Sequence, residues 1–200
     1  MARLTRSESQ ARTRADLLAT ARDLFLTDGY AKTSLERVAE EAGYSKGAVY
    51  SNFKTKSELC LEVLGLIHET KFGEVSELIE EGSLEQRLER FQGWAERTLG
   101  DVGWTRLELE FATVARDDPI LEAALVSNLS LMRGTVAAQL QSLADSLGIE
   151  LPMSTEDAAT SVLSLGLGLG IQRALDPSLP ARLITDAVRV LITPAQHPTQ

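Results

Sequence analysis

Lysine, tyrosine and hydroxyl side chains are concentrated in one short stretch, EEAGYSKGAVYSNFKTKSEL at residues 40–59. Four of the five lysines of the chain lie between Lys32 and Lys56. Lysine and tyrosine side chains can contact phosphate oxygens, and serine and asparagine side chains can hydrogen-bond to base edges. The residue types in this stretch therefore predict contact with a polyanion such as a nucleic acid.

The charge of the chain is divided close to the same place. Residues 1–56 contain ten Lys and Arg against seven Asp and Glu, a net charge of +3, whereas residues 57–200 contain ten against twenty-two, a net charge of −12. The total of −9 argues, taken alone, against nucleic-acid binding. The asymmetry predicts a polyanion-binding domain on an acidic remainder. A merely solvated charged face would give the same pattern.

Patterns for catalysis and metal binding are missing. Cys60 is the only cysteine and there are two histidines, so a disulfide within the chain is excluded and a zinc site is not expected. The GLGLG at 166–170 suggests a phosphate loop, but G-x-G-x-x-G requires glycine where Ile171 or Arg173 stands. We predict no enzymatic activity, no cofactor and no metal. Cys60 is expected to be inert, with a redox switch as the alternative, and His68 is expected to be exposed.

Helical periodicity extends along the chain, and no strand pattern is convincing. Apolar residues recur with the helical period in nine segments, at about residues 8–27, 33–43, 46–53, 55–79, 83–99, 104–115, 119–147, 155–175 and 180–192. Ser7 with Gln10, and Thr33 with Glu36, fit capping boxes for the first two helices. No apolar run approaches the roughly 20 residues that span a bilayer, and no signal peptide is recognisable, which predicts a cytoplasmic protein.

The unit from Thr33 to Phe53 has the size of a helix-turn-helix: a helix, a glycine turn and a short helix. At about 100° per residue, Val49 and Phe53 of the short helix point toward the first two helices. The small residues Gly47 and Ala48 point outward, which suits entry into a DNA major groove. An ordinary three-helix packing unit with surface lysines would show the same spacing.

Five motifs between residues 10 and 62 fall in register with a known family. They are T-S, V-A-E-E-A-G, S-K-G-A-V-Y, N-F-K and K-S-E-L. Through them the chain resembles the N-terminal domain of the TetR-type transcriptional repressors. Tyr44 stands where that family usually has an aliphatic residue, so it either adds a DNA contact or packs differently. The resemblance implies an all-α, nine-helix TetR-like architecture, with a three-helix helix-turn-helix domain on a larger helical body.

The spacing and the resemblance together predict a set of DNA-contacting residues. Val49–Tyr50 corresponds to the hydrophobic-then-tyrosine pair of the family, and Lys54 or Lys56 to its phosphate-facing lysine. Free amide groups at the start of the second helix are expected to take a phosphate oxygen. The predicted DNA-binding residues are Thr33, Ser34, Tyr44, Ser45, Lys46, Gly47, Ala48, Tyr50, Ser51, Asn52, Lys54 and Lys56.

An acidic side chain interrupts an apolar stripe in the body. On the predicted sixth helix Glu108 falls among Trp104, Leu107 and Phe111, and a carboxylate on an apolar face needs a partner. This predicts an aromatic-lined pocket for a lipophilic ligand. The alternatives for Glu108 are an ion pair with an arginine such as Arg106, Arg116 or Arg133, or a shifted helix register. For Phe91, Trp94 and Met132 the alternative is plain core. The predicted pocket residues are Phe91, Trp94, Trp104, Glu108, Phe111 and Met132.

We therefore predict a DNA-binding domain at residues 1–56 and an effector-binding and dimerisation domain at 57–200. The last two helices have broad apolar faces, which favours a homodimer that binds near-palindromic double-stranded DNA. The expected function is a transcriptional repressor that a small lipophilic molecule releases from its operator. The alternatives are a DNA-binding regulator without an effector, constitutive or controlled by a protein, and a helical-bundle enzyme.

Overall fold

The structure is a computed structural model that describes residues 5–192. The regular structure within this range is helical, as the sequence predicts, and the nine expected helices are confirmed. Their bounds are α1 Arg6–Asp28, α2 Leu35–Glu41, α3 Lys46–Asn52, α4 Lys56–Ile79, α5 Leu84–Thr98, α6 Val102–Ala115, α7 Pro119–Leu147, α8 Thr155–Leu175 and α9 Arg182–Ile192.

The chain forms two compact units, each built from two separate segments. The first unit comprises Met1–Ile67 and Gly103–Ser127, and the second comprises His68–Val102 and Asn128–Gln200. The first unit therefore contains α1–α3, the start of α4, nearly all of α6 and the start of α7. The functional boundary predicted at residue 56 stays a prediction, because compactness does not say which residues bind DNA or an effector.

Helix α1 begins earlier than the sequence pattern predicts. Its N-cap is Thr5, whose hydroxyl accepts the backbone N–H of Glu8 at 3.2 Å, while the Glu8 carboxylate accepts the Thr5 N–H at 2.7 Å. The predicted capping box of Ser7 and Gln10 is wrong. Two overlapping stretches both fit the pattern, and the earlier one, which carries a charged acceptor, forms the box.

The first unit has a core to which α6 contributes. Phe25 of α1, Phe53 after α3 and Phe111 of α6 are all fully buried in one cluster. The ring of Tyr30 lies 5.9 Å from that of Phe25 and 5.8 Å, edge-on, from that of Phe111. Aromatic pairs at these distances add to the stabilisation from burial. Helix α6 is therefore part of the support of the helix-turn-helix.

The second unit has a core formed mainly by α5, α8 and α9. Leu88 and Ala95 of α5 pack with Ile184 and Val188 of α9 in one buried cluster. His68 is also buried, at 6% exposure, with its ring 6.4 Å from that of Phe72. The expectation that His68 is exposed is therefore wrong: its side chain packs away from the main stripe of its helix, yet within the protein.

Helix α8 is long and apolar. By length and composition alone it could cross a membrane, but a single helix of this kind is weak evidence, because core helices of globular proteins pass the same test. Ala158, Leu169 and Gly170 are buried, whereas Leu167 and Leu175 are 40% and 85% exposed. One chain therefore covers only part of this apolar helix.

Candidate nucleic-acid interface

A tight glycine turn sets the direction of α3. Gly43 has a φ of +75°, its N–H donates to Glu40 O at 3.1 Å, and the N–H of Tyr44 donates to Ala39 O at 2.8 Å. This is the Schellman arrangement, which favours glycine because a side chain is strained at positive φ. Ser45 then caps α3 by accepting the N–H of Ala48 at 3.3 Å. The chain thus ends one helix and starts the next within a few residues.

The inner face of α3 is anchored by apolar and charged contacts. Val49 and Phe53 are fully buried, as the helical angle predicts. The guanidinium of Arg14 lies 4.3 Å from the Phe53 ring centroid, donates to Asn52 O at 3.0 Å and pairs with Glu62. A cation beside the last carbonyl groups of a helix is stabilising. Arg14 therefore connects α1, the end of α3 and α4, a role that local sequence patterns do not reveal.

The outer face of α3 is open and polar. Six predicted contact residues are exposed there: Ser45, Lys46, Gly47, Tyr50, Ser51 and Lys54. A Cβ atom built on Gly47 would have only Ser45 Oγ nearby, at 3.8 Å, so the backbone lies at an unobstructed surface. Ala48, beside it, is half-buried. This combination of lysines, hydroxyls and small residues is what a major groove accepts.

The side chain of Tyr50 makes a contact that the sequence pattern does not predict. Its ring is 48% exposed, and its hydroxyl donates to Glu36 Oε1 at 2.7 Å. The bond lowers the pKa of Glu36, because it stabilises the carboxylate, and raises the pKa of Tyr50 for the same reason. The capping-box pattern accounts for Glu36 at the start of α2, so the sequence gives no sign that Glu36 lies next to α3.

The polar groups at the end of α3 also bond within the helix. The Ser51 hydroxyl and the Asn52 Nδ2 each donate to Ala48 O at 2.8 Å. Ser51 is exposed and its Oγ also accepts from Asn52 Nδ2 at 3.5 Å, whereas Asn52 is half-buried. Recognition of base edges by Asn52 would require its amide to leave this carbonyl, and such contacts stay predictions.

Two predicted contact residues are engaged inside the first unit. Thr33 is 1% exposed, its hydroxyl donates to Gly29 O at 2.9 Å, and its amide donates to Tyr30 O. The Lys56 Nζ donates to Tyr30 O at 3.0 Å and lies 4.1 Å from the Tyr30 ring centroid. These contacts give Thr33 and Lys56 structural roles, and they leave neither the side chain nor the amide of Thr33 free for phosphate.

Tyr44 shows the same behaviour: it is half-buried against the core of the first unit, and its hydroxyl donates to Asp16 Oδ2 at 2.7 Å. Of the two explanations for this departure from the family pattern, the geometry fits packing.

Ser34, not Thr33, is the N-cap of α2. Its hydroxyl accepts the Arg37 N–H at 3.1 Å, so the predicted capping box of Thr33 and Glu36 is wrong. The error is one residue, between two adjacent hydroxyl side chains of similar capping preference. Ser34 is exposed at the start of α2, so the amide groups of this first turn stay candidates for a phosphate contact.

Two side chains of α6 hold the connection between α1 and α2. Arg106 donates to Leu26 O and Thr27 O at 3.2 and 2.9 Å, which satisfies carbonyl groups left open at the end of α1. The Glu110 carboxylate accepts the Ala31 N–H at 3.2 Å. Between these contacts Gly29 has a φ of +91°, and a Cβ there would lie 3.1 Å from both side chains. We call Arg106 and Glu110 the α6 clamp.

The two compact units divide the predicted pocket residues three and three. In the first unit the Trp104 indole N–H donates to Glu108 Oε1 at 2.8 Å, and Phe111 is fully buried in the core. The sequence pattern does not predict a tryptophan as a partner of Glu108. In the second unit the Phe91 and Trp94 rings stack at 5.8 Å, and the remaining residue, Met132, is buried. That these six residues line one pocket stays a prediction.

An open cavity of about 470 Å³ lies in the second unit, between α7 and the start of α8. Its lining includes Arg133, Gln141 and Glu156, and none of the six predicted pocket residues. Among residues 5–192, no group of three or more His, Cys, Asp or Glu side chains is placed to hold a metal ion.

Known proteins resemble this chain in sequence and in fold. Residues 17–63 match the family described as bacterial regulatory proteins, tetR family. The HTH-type transcriptional regulator TtgR of Pseudomonas putida is 41% identical over 70 residues, which cover 35% of this chain and 33% of TtgR. The match thus spans about a third of that relative's length. These names are those of regulators, not of enzymes.

Solved structures extend the resemblance in fold to nearly the whole chain. A protein from Rhodococcus sp. assigned to the TetR family superimposes with a TM-score of 0.74 at 21% identity, covering 92% of this chain and 100% of that one. FadR of Thermus thermophilus, a TetR-family repressor crystallised with lauroyl-CoA, gives a TM-score of 0.65 at 20% identity, covering 94% and 98%. At these identities the superpositions establish the fold alone.

Proposed function

We propose that this chain, which carries at residues 17–63 the DNA-binding domain of the tetR family of bacterial regulatory proteins, is a cytoplasmic transcriptional regulator that binds DNA as a homodimer and responds to a small lipophilic molecule. The observation that carries the proposal is the exposed face of α3. On it Lys46, Gly47, Tyr50 and Lys54 stand together above a buried, well-anchored inner face.

DNA binding follows from how that face is built. The exposed Lys46 and Lys54, and Tyr50 once its hydroxyl leaves Glu36, supply donors for phosphate oxygens, and Gly47 with Ala48 lets the helix approach base edges. The Schellman turn and the contacts of Arg14 fix α3 in the chain before DNA arrives. Preorganisation of this kind lowers the entropic cost of binding.

Dimerisation is supported by the apolar residues that one chain leaves exposed on α8 and α9. Leu175 of α8 is 85% exposed and Val190 of α9 is 74% exposed. A second copy that covers these residues by two-fold symmetry would pair two α3 helices for a near-palindromic operator. We propose α8 and α9 as the interface.

The effector part of the proposal rests on the fold and on the α6 clamp. The lauroyl-CoA complex of the Thermus thermophilus FadR supports a lipophilic effector here. A ligand that favours another position of α6 would act on the α1–α2 connection through Arg106 and Glu110. It changes DNA affinity only as far as it binds the two states unequally.

A binding experiment tests the DNA half of the proposal. The purified protein is titrated onto the DNA flanking its own gene, and onto genomic fragments, between about 50 and 200 mM salt. With about six phosphate contacts per bound dimer, we expect affinity to fall roughly a thousandfold over that range. The double variant Tyr50→Ala, Lys54→Ala should bind about a hundredfold more weakly, since it loses two contacts to charged groups.

The matched control is Lys71→Ala, which removes the one lysine outside residues 32–56 and should leave DNA affinity unchanged. Absence of binding to any genomic fragment at low salt would overturn the proposal. Binding that no compound from a lipophilic library reduces would favour the alternative, a regulator without a small-molecule effector. A reporter gene behind the bound DNA then decides between repressor and activator.

A further inference from the structure

The candidate DNA-binding surface contains a carboxylate beside its central tyrosine. Glu36 lies in the first turn of α2, and its Oε1 accepts the Tyr50 hydroxyl at 2.7 Å, across the turn that separates α2 from α3. Glu36 is half-exposed and Tyr50 exposed, so the pair is at the surface.

The pair conflicts with phosphate binding in a simple way. A tyrosine hydroxyl carries one proton, and it can donate that proton to one acceptor at a time. If Tyr50 donates to a DNA phosphate, Glu36 loses its partner. If Tyr50 stays with Glu36, a carboxylate remains near the phosphate backbone, where like charges repel. Both arrangements make the complex less stable than it would be without the acidic side chain.

We propose that Glu36 is an affinity-setting residue of the DNA-binding surface, which competes with DNA phosphate for the hydroxyl of Tyr50. The inference rests on the proposed DNA binding and adds to it a residue that weakens the complex. Glu36 would thus keep the affinity of this surface for DNA below the value that the surface would have without this side chain.

The electrostatic surroundings of Glu36 agree with this role. The hydrogen bond from Tyr50, followed by smaller contributions that include the nearby Lys46, lowers the pKa of Glu36. The carboxylate is therefore ionised at neutral pH and competes in its charged form. Glu36 also attracts the ammonium group of Lys46, a second predicted phosphate contact.

The test is a double-mutant cycle on a defined probe. A duplex of about three helical turns, selected by the wild-type protein from a random-sequence library, serves as ligand, and affinity is measured by fluorescence anisotropy at fixed salt. We expect Glu36→Gln to bind about tenfold more tightly, because a charge-assisted bond is replaced by a weaker neutral one. Glu36→Ala, which removes the acceptor altogether, should bind at least as tightly.

Two further variants distinguish competition for the Tyr50 hydroxyl from the general effect of removing one negative charge. Glu40→Gln removes an equal charge from the same helix and should improve affinity less than Glu36→Gln. In a Tyr50→Phe background, the gain from Glu36→Gln should shrink to that of Glu40→Gln, because the hydroxyl over which Glu36 competes is gone. Thermal unfolding confirms that each variant is folded.

The outcomes are distinct. If Glu36→Gln gains no more than Glu40→Gln, keeps its full gain beside Tyr50→Phe, or binds more weakly than wild type, the inference is overturned while DNA binding stands. If the selection yields no duplex that the wild-type protein binds, the proposed function and this inference fall together.

Discussion

The helix-turn-helix helices α1–α3 and the C-terminal helices α8–α9 differ in how far one chain completes them. Among large hydrophobic residues of α1–α3, Tyr50 is the exposed one, and it lies on the proposed DNA surface. On α8 and α9 four are exposed: Leu167, Leu175, Leu183 and Val190. The first region therefore presents polar side chains over a closed core, and the second presents an apolar surface of the kind that marks interaction sites.

The difference shows which kind of ligand each region suits. An exposed face of lysines and hydroxyls over a fixed core suits a charged, regular polymer such as DNA. An exposed apolar face on helices suits another protein surface of the same kind, which a second copy would supply in the proposed dimer. Three experiments test the comparison, from the largest expected effect to the smallest.

The reactivity of Cys60 tests whether the core under the helix-turn-helix is closed. Its side chain is fully buried, and burial raises the pKa of its thiol. Since the thiolate is the reactive form, we expect reaction with a disulfide reagent at about pH 8 to be at least about a thousandfold slower in the native protein than in denaturant. Rapid labelling of the native protein would contradict a closed core and revive the redox-switch alternative.

A charge placed on α9 tests the opposite property of the C-terminal helices. Val190→Glu should weaken self-association at least about a hundredfold, because a dimer through α8 and α9 would bury two unpaired carboxylates. Sedimentation equilibrium measures the effect. Ser142→Glu, which adds the same charge to an exposed position of α7, is the control. If Val190→Glu stays as dimeric as the control, the proposed interface is elsewhere.

Two glycine substitutions give the smallest effect and test the α6 clamp. Gly29→Ala should lower the free energy of unfolding by about 1–3 kcal/mol, since Gly29 has a positive φ and its new methyl would press against Arg106 and Glu110. Gly43→Ala shares the positive φ but has open space around it, so it should cost only about 1 kcal/mol. If chemical denaturation gives the same loss of unfolding free energy for both variants, the side chains of Arg106 and Glu110 move aside for the methyl group.

Sequence patterns predict the features of this protein that depend on residues close together in the chain, namely its helices, turns and exposed faces. Helical periodicity finds the nine helices of the described chain, and the glycine turn with the Ser45 cap places α3 correctly. The errors at the starts of α1 and α2 are shifts between neighbouring hydroxyl residues, where local patterns are nearly equivalent. The charge and angle of α3 likewise place Lys46 and Lys54 on the exposed face.

The sequence could not predict contacts between residues that are far apart along the chain. Arg106 and Thr27 are 79 positions apart, and no local pattern marks an arginine that satisfies the end of another helix. The resemblance predicts Lys54 or Lys56 as the lysine that faces phosphate, and it does not reveal that Lys56 contacts the carbonyl and the ring of Tyr30. His68 is buried by packing that its own helix does not determine.

The discontinuous first unit has a consequence for exchanging parts of this protein. Leu107 and Phe111 are fully buried in the core beneath the helix-turn-helix. In the sequence they are separated from it by residues 68–102, which belong to the second unit. A chimaera that joins residues 1–67 to a foreign C-terminal part would lose both side chains and the α6 clamp. The helix-turn-helix is thus not an independent N-terminal domain, and we expect a transplant to fold only if it also carries residues 103–127.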